Sequence, residues 1–297
     1  MTTAEGPWRG WHEQNRASWN AVTAAHNSHK VGQAEFLASG GQTLFPEELE
    51  LLGDLRGQRV VHLQCNCGQD TLCLSRLADG VVGVDISDRA VEVARELSST
   101  TGIPATFHRG DLFGWFDTTD DRFDVAFTSY GTIGWLADLP RWARGVARVL
   151  RPEGRLVFID FHPIAWTFTR DGPCGDSYFI DGPLRDDAGV SDYVGVDLAP
   201  SGFAEGDAGF VNPEPAYSFQ WTVASLVQAL ADAGMRVESL REYGYANGCE
   251  LFEGMRRIPG RRFALPEGQP EVPLMLGLTA TTAPAGHLGG SAPAAAT

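Results

Sequence analysis

The sequence predicts an α/β protein built on one doubly wound, mostly parallel sheet. Two observations carry this. From residue 58 onward, short apolar runs alternate with stretches of helical period, the pattern of strands joined by right-handed crossovers. The helical stretches also open on capping residues and close on glycine. The 297 residues, 43% of them hydrophobic, suffice for one large core or two small ones, and no internal repeat is present.

Taken in order, "WRGWHEQNRASWNAVTAAHNSH" (8–29) mixes aromatic and polar groups at partly helical spacing and precedes the first strand, so it reads as a cap on the domain. "FPEELELLGDL" is a short helix, with Pro46 at its start and Gly53 near its end. "QRVVHLQ" is a buried strand, "QDTLCLSRLADG" a helix ending at Gly80, and "VVGVD" a second strand. "SDRAVEVARELSSTTG" is a helix with Ser87 as N-cap, Ala90, Ala94 and Leu97 on one face, and Gly102 as its stop. "PATFHRGDL" and "RFDVAFTSYG" give strands three and four. "LPRWARGVARVLRPEG" is a helix with Trp142, Val146 and Val149 or Leu150 inward, and "RLVFIDFHP" is strand five.

The alternation breaks at 162–217, a stretch rich in Gly, Asp and Pro that carries Trp166, Phe168, Tyr178, Phe179, Tyr193 and Tyr217. So many aromatics indicate an ordered insertion rather than a disordered linker, with a hairpin expected near "DSYFIDG". "WTVASLVQALADAGMRVESLREY" restores a helix, capped by Thr222 and stopped at Gly234, and then a strand. "VPLMLGLTA" is the last strand, expected to run antiparallel. One domain over 1–281 is expected, with a cap over 1–53, the insertion at 162–217, and a low-complexity disordered tail at 282–297.

A net charge of −15, from 23 basic and 38 acidic side chains, repels phosphate backbones and anionic membranes. Nucleic acid and lipid are therefore poor partners. The N-terminus has no apolar signal core and no run is long enough to span a bilayer, so a cytoplasmic location is expected. Cys65, Cys67, Cys73, Cys174 and Cys249 are odd in number, and the spacing of the first three is not that of a zinc knuckle. They read as small buried thiols, and no metal site is expected.

In a doubly wound sheet the ligand lies beyond the carboxyl ends of the strands, and the first strand–helix turn belongs to it. Here that turn is "QCNCGQD", where Gly68 is the only glycine. The G-x-G-x-x-G of a dinucleotide site, whose glycines let backbone approach a pyrophosphate, is absent. A ligand without phosphates fits better. S-adenosylmethionine is one, and Asp85, ending the second strand, can accept both ribose hydroxyls. Asp111, after the third strand, can meet the adenine amino group through its carboxylate or neighbouring backbone.

With "HLQC" and "GQDT", "GVDIS", "FDVAFTSYGTIGWLADLPRWA" and "FHP" in order, the chain resembles class I S-adenosylmethionine-dependent methyltransferases, and within them a bacterial small-molecule subfamily. That resemblance implies a Rossmann-like fold, S-adenosylmethionine as cofactor, and methyl transfer to oxygen, nitrogen or sulfur of a small-molecule acceptor. The implied cofactor contacts are Leu63, Gln64, Cys65, Gly68, Gln69, Asp70, Asp85, Ile86, Gly110, Asp111, Leu112, Ser129 and Tyr130. The family pattern of an acid followed by alternate glycines falls here on His62, Gln64, Asn66 and Gly68, so only the last glycine survives. What then holds the methionine ammonium is open between Gln64, Asp70 and backbone carbonyls. Gln69 and Asp70 could equally be helix caps, and a cap is the alternative reading of Asp111.

A base for a hydroxyl or thiol acceptor is sought at Tyr130, Asp160 and His162, with His162 expected on the acceptor side. His26 and His29 are more distant candidates, and proximity alone is a further option. The cap and the insertion are expected to close over the acceptor. Two rivals stand beside this reading: a nucleotide-dependent oxidoreductase of similar shape, and a module that binds S-adenosylmethionine without catalysis. A peptide acceptor is a weaker alternative. The oligomeric state is not legible.

Overall fold

A computed structural model describes residues 6–173, 175–196, 200–207 and 209–284. Its centre is a seven-stranded sheet in the order β3-β2-β1-β4-β5-β12-β8. The first five are β1 (Arg59–Leu63), β2 (Gly80–Asp85), β3 (Thr106–Arg109), β4 (Phe123–Ser129) and β5 (Leu150–Phe161), and they pair in parallel. β12 (Met275–Thr282) runs antiparallel to both β5 and β8 (Met235–Tyr243), the expected antiparallel last strand. The order reverses between β1 and β4, so the carboxyl ends of these two strands flank a crevice.

Alternation along the central strands sorts the core onto two faces. Val61, Leu63, Ala126, Leu156 and Phe158 pack with α6 (Leu112–Thr118), α7 (Leu139–Val149) and α8 (Val223–Asp232). Val60, Val125, Phe127, Val157 and Ile159 pack with α2 (Gln33–Ala38), α3 (Pro46–Leu52), α4 (Gln69–Ser75) and α5 (Asp88–Thr101). Trp142 and Val146 are fully buried on α7, as their spacing predicts. Ser87 caps α5, accepting from the Ala90 N–H, and Gly102 ends it in the left-handed conformation.

Several local expectations are corrected. α4 stops at Ser75, well short of Gly80, which instead opens β2. β5 starts at Leu150, directly from α7. No strand forms at 176–182; the insertion's two-stranded sheet pairs β6 (Leu184–Asp186) with β7 (Ala216–Ser218). The sequence reading missed α6, a seven-residue helix, and a small sheet in the order β10-β11-β9, made of β9 (Ala246–Asn247), β10 (Arg256–Ile258) and β11 (Arg262–Ala264). Cys174 and residues 285–297, the greater part of the expected tail, lie outside the described residues. Among the described residues no helix is long and apolar enough to cross a membrane.

α1 (Trp8–Ser28) ties the cap to the rest. The Asn15 side chain donates to the Tyr217 carbonyl at 2.8 Å and accepts from the Tyr217 N–H at 2.7 Å. The Ser18 hydroxyl donates to the Glu214 carbonyl and accepts from the Val190 N–H. Asn20 accepts from the Ser87 hydroxyl at 2.7 Å. One face of α1 therefore grips the insertion and another the rim of the sheet.

Candidate functional site

A cavity of about 860 Å³ lies across the carboxyl ends of β2, β1 and β4, roofed by α1 and the insertion. This is large for a small-ligand pocket. Of the thirteen expected cofactor contacts, Gln64, Cys65, Gln69, Asp70, Asp85, Ile86, Gly110, Asp111, Leu112, Ser129 and Tyr130 line it. Leu63 and Gly68 do not; they sit behind the wall, Leu63 within the core and Gly68 against Ala94 and Phe107.

The turn after β1 explains its missing glycines. Gln64, Asn66 and Gly68 all have positive φ, at 55°, 48° and 76°, so the backbone keeps the left-handed shape with side chains at two of the three positions. Gln64 is held by donating to the Thr132 carbonyl at 2.8 Å. Asn66 accepts the Cys67 N–H on its own side chain at 2.7 Å, the local bonding that lets Asn tolerate this region. Only at 68 is space also exhausted: a Cβ there would lie 2.8 Å from both the Ala94 methyl and the Phe107 ring.

The turn uses its own amides internally. The N–H groups of Cys65, Asn66, Cys67 and Gly68 are donated to the Val84 carbonyl, the Asp85 carboxylate, the Asn66 side chain and the Cys65 carbonyl. With Asp70 and Asp85 also on the wall, a pyrophosphate would meet two carboxylates, which disfavour it.

Asp85 accepts the Asn66 N–H on one oxygen and the Ser87 N–H on the other, each at 2.8 Å. Each oxygen keeps a lone pair on the cavity side, a donor-hungry pair that fits vicinal hydroxyls. Burial pushes the Asp85 carboxyl up, and the backbone donors oppose this. Asp111 is the N-cap of α6, accepting from the Phe113 and Gly114 N–H groups. Its other oxygen meets His12 Nδ1 at 2.5 Å. His12 Nε2 accepts the Ala137 N–H at 3.1 Å, which assigns the ring proton to Nδ1. The Asp111 carboxylate is thus engaged within the protein, and neighbouring backbone is what it offers an adenine. Gln64 Oε1 is buried without a partner, one more acceptor for an incoming N–H. These groups fit a nucleoside with a charged tail and no phosphate.

The base candidates separate cleanly. His162, expected on the acceptor side, does not line the cavity: Nδ1 accepts the Ile164 N–H at 3.1 Å and Nε2 faces Glu242 of β8 at 3.2 Å. It caps the turn after β5. Asp160 is also spent, taking N–H groups from Gly131, Thr132 and Phe161, which shapes the turn beyond β4. His29 is held between Asp192 and the Ala204 carbonyl. His26 does line the cavity, with Nε2 at 3.0 Å from the Ser191 carbonyl. Burial drops its pKa to about 4, so the ring is neutral at neutral pH. Tyr130 is on the wall too, its hydroxyl accepting from Asn247 at 2.9 Å. Burial and the nearby Glu48 hold the phenol well above its usual range, so it keeps its proton. Cys65, Cys67 and Cys73 are buried free thiols. Trp19, Trp135, Tyr193, Phe161, Trp166 and Phe219 add aromatic rings to a wall that is otherwise mixed polar and aliphatic.

Sequence reasoning missed Glu48, Arg261 and His12. The Pro259–Gly260 pair signals the turn that presents Arg261; nothing in the sequence marks the other two.

A parallel sheet with an antiparallel final strand, and a cavity across its switch point, is the architecture of class I S-adenosylmethionine-dependent methyltransferases. Residues 60–154 match the family described as methyltransferase domain. An uncharacterised methyltransferase of Synechocystis is 34% identical over 46% of this chain and 64% of its own length. A 23S rRNA uracil methyltransferase of Xylella fastidiosa is 34% identical over 41% of this chain and 27% of its own. The 2-phytyl-1,4-naphtoquinone methyltransferase of Synechococcus elongatus is 33% identical over 36% and 47%. The chain thus covers less than two thirds of each of these relatives. Among solved structures, an S-adenosylmethionine-dependent methyltransferase of Mesorhizobium loti has a TM-score of 0.52 at 21% identity, over 82% of this chain and 99% of that one. The CcbJ methyltransferase of Streptomyces caelestis has 0.55 at 13%, over 91% and 99%. These likenesses concern the fold.

Proposed function

We propose that the protein transfers a methyl group from S-adenosylmethionine to a heteroatom of a small-molecule acceptor enclosed between α1, the insertion and the β4 turn. The observation that carries this is the cavity itself, with the Asp85 carboxylate and several aromatic rings on its wall. S-adenosylmethionine would supply the electrophilic methyl group. The protein's part is to hold the ribose at Asp85, the adenine against the backbone at Gly110–Leu112, and the tail beside Gln64, Ser129 and Tyr130.

Positioning of acceptor and methyl in line is worth ~7–11 kcal/mol in well-oriented systems. Ring faces on the wall can accommodate a cation. Where the acceptor carries a proton, His26, a weak base because burial holds its pKa near 4, is the candidate from the cap, and positioning carries more of the rate than proton transfer. The net charge of −15 and the roof over the site speak against RNA, although some relatives act on it.

Calorimetry with S-adenosylmethionine and S-adenosylhomocysteine, followed by mass spectrometry of small-molecule and RNA mixtures incubated with the donor, tests the reading. Binding of both nucleosides and a 14 Da gain on a small molecule are expected. No binding, or label entering RNA alone, would refute it.

A further inference from the structure

Beside Tyr130 lies a charge arrangement that the reading above does not use. Glu47 and Glu48 are neighbours on α3, yet their environments differ. The Glu47 oxygens are taken up by Tyr245, Asn247 and Arg262. Glu48, only 1% exposed, accepts the Phe45 N–H with Oε2 at 2.5 Å, while Oε1 is buried with no partner. Glu48 lines the cavity, as does Asp70, one of whose oxygens is bonded by the Thr43 hydroxyl. Opposite them is Arg261, presented by the β10–β11 turn. Its guanidinium stacks on Phe45 at 4.2 Å and donates to the Thr43 carbonyl at 3.2 Å. It makes no ion pair among the described residues, although Asp70 and Glu48 are close enough to act on it electrostatically.

Two carboxyl groups and an unpaired guanidinium on one stretch of wall form a receptor for a zwitterion. A buried carboxyl with an orphaned oxygen is costly until a donor reaches it. A guanidinium facing a cavity offers paired N–H groups to a carboxylate. Resting on the function proposed above, we propose that Glu48, Asp70 and Arg261 bind the α-amino-acid end of the methyl donor, the two acids taking its ammonium and Arg261 its carboxylate.

Position along the sheet supports the assignment. A nucleoside with its ribose at the end of β2 and its base toward β3 sends its tail across β1 to β4. There it passes Gln64 and reaches Tyr130, beside Glu48. At the end of β1, below the tail's path, His62 is buried and bonded to the Thr71 hydroxyl at 2.9 Å. Burial drops the His62 pKa to about 4, so this ring contributes no charge at neutral pH. The carboxyl groups that face the tail come from α3 and α4 instead. Burial, then Asp70, holds the Glu48 carboxyl well above its usual range; an arriving ammonium relieves both.

The test is calorimetric binding of two ligands to the full chain: S-adenosylhomocysteine, which has the amino-acid end, and 5′-methylthioadenosine, which lacks it. Wild-type protein is expected to bind the first more tightly. Glu48→Gln and Arg261→Met are each expected to weaken S-adenosylhomocysteine tenfold or more and to leave methylthioadenosine within twofold. Arg261 lies on a surface turn, so its variant reports even if the Glu48 variant does not fold. Unchanged S-adenosylhomocysteine affinity in the folded variants, or equal losses for both ligands, overturns the clamp alone. Wild-type protein that binds neither ligand overturns the methyl-donor reading and the clamp with it.

Discussion

Gly68→Ala is expected to destabilise the protein far more than Gln64→Gly alters it, although both sit in the same left-handed turn. At 68 two costs add. An alanine at φ 76° carries left-handed strain of roughly 1–2 kcal/mol. Its methyl would also meet the Ala94 Cβ at 2.8 Å and the Phe107 ring at 2.8 and 2.9 Å. These neighbours are buried in the core, so they have little room to retreat, and overpacking of this kind costs about 1–3 kcal/mol. The sum, ~2–5 kcal/mol, is a large part of the 5–15 kcal/mol typical of a folded protein. At 64 the terms oppose one another. Glycine relieves strain of about 1 kcal/mol and loses one hydrogen bond to Thr132, worth about 0.5–1.5 kcal/mol. Urea unfolding followed by tryptophan fluorescence measures both, provided the slope is unchanged between variants. An unshifted midpoint for Gly68→Ala, or a larger loss for Gln64→Gly, would refute the steric account of why one glycine remains.

Other consequences are as direct. Asp85→Asn should weaken S-adenosylhomocysteine binding strongly in calorimetry. It should also lower stability by about 1–3 kcal/mol, because the carboxylate anchors the Asn66 and Ser87 N–H groups; equal stability would mean the turn holds without it. His162→Ala should leave S-adenosylhomocysteine affinity and turnover near wild type, since the ring faces Glu242; a turnover loss of a hundredfold at unchanged stability would return it to the site. His26 is neutral in the folded state with its pKa near 4, while the unfolded chain takes up its proton near 6.5. The unfolded state therefore binds more protons between these values, and the contribution of His26 falls as pH drops through that window. The stability of wild type relative to His26→Gln should decline by up to about 1.4 kcal/mol per pH unit near pH 5; denaturation midpoints that move in parallel from pH 7 to pH 4.5 would contradict this.

The sheet was legible because its signals are local. The continuous apolar runs in "RVVHL" and "VAFTS", buried on both faces, and the Ser87 and Thr222 caps need nothing beyond neighbouring residues. The place of Asp85 on the cavity wall was legible for a related reason: the end of β2 follows from the strand itself. What escaped depended on direction or distance. His162 follows β5 immediately, but the 3-10 turn at Pro163–Thr167 rotates its ring toward β8. The helix Leu112–Thr118 is too short for a period to register. His12 meets Asp111 across 99 residues, and Arg262 meets Glu47 across 215. Such pairings are set by tertiary packing, which no window of sequence contains.

The long first helix touches both ends of the chamber it roofs. Near its start His12 clasps the loop where the base would rest; further along, Trp19 and His26 face the opposite compartment. The same helix is bonded to the insertion through Asn15 and Ser18, so a shift of this one element would be felt at the Asp111 loop and at the aromatic residues alike.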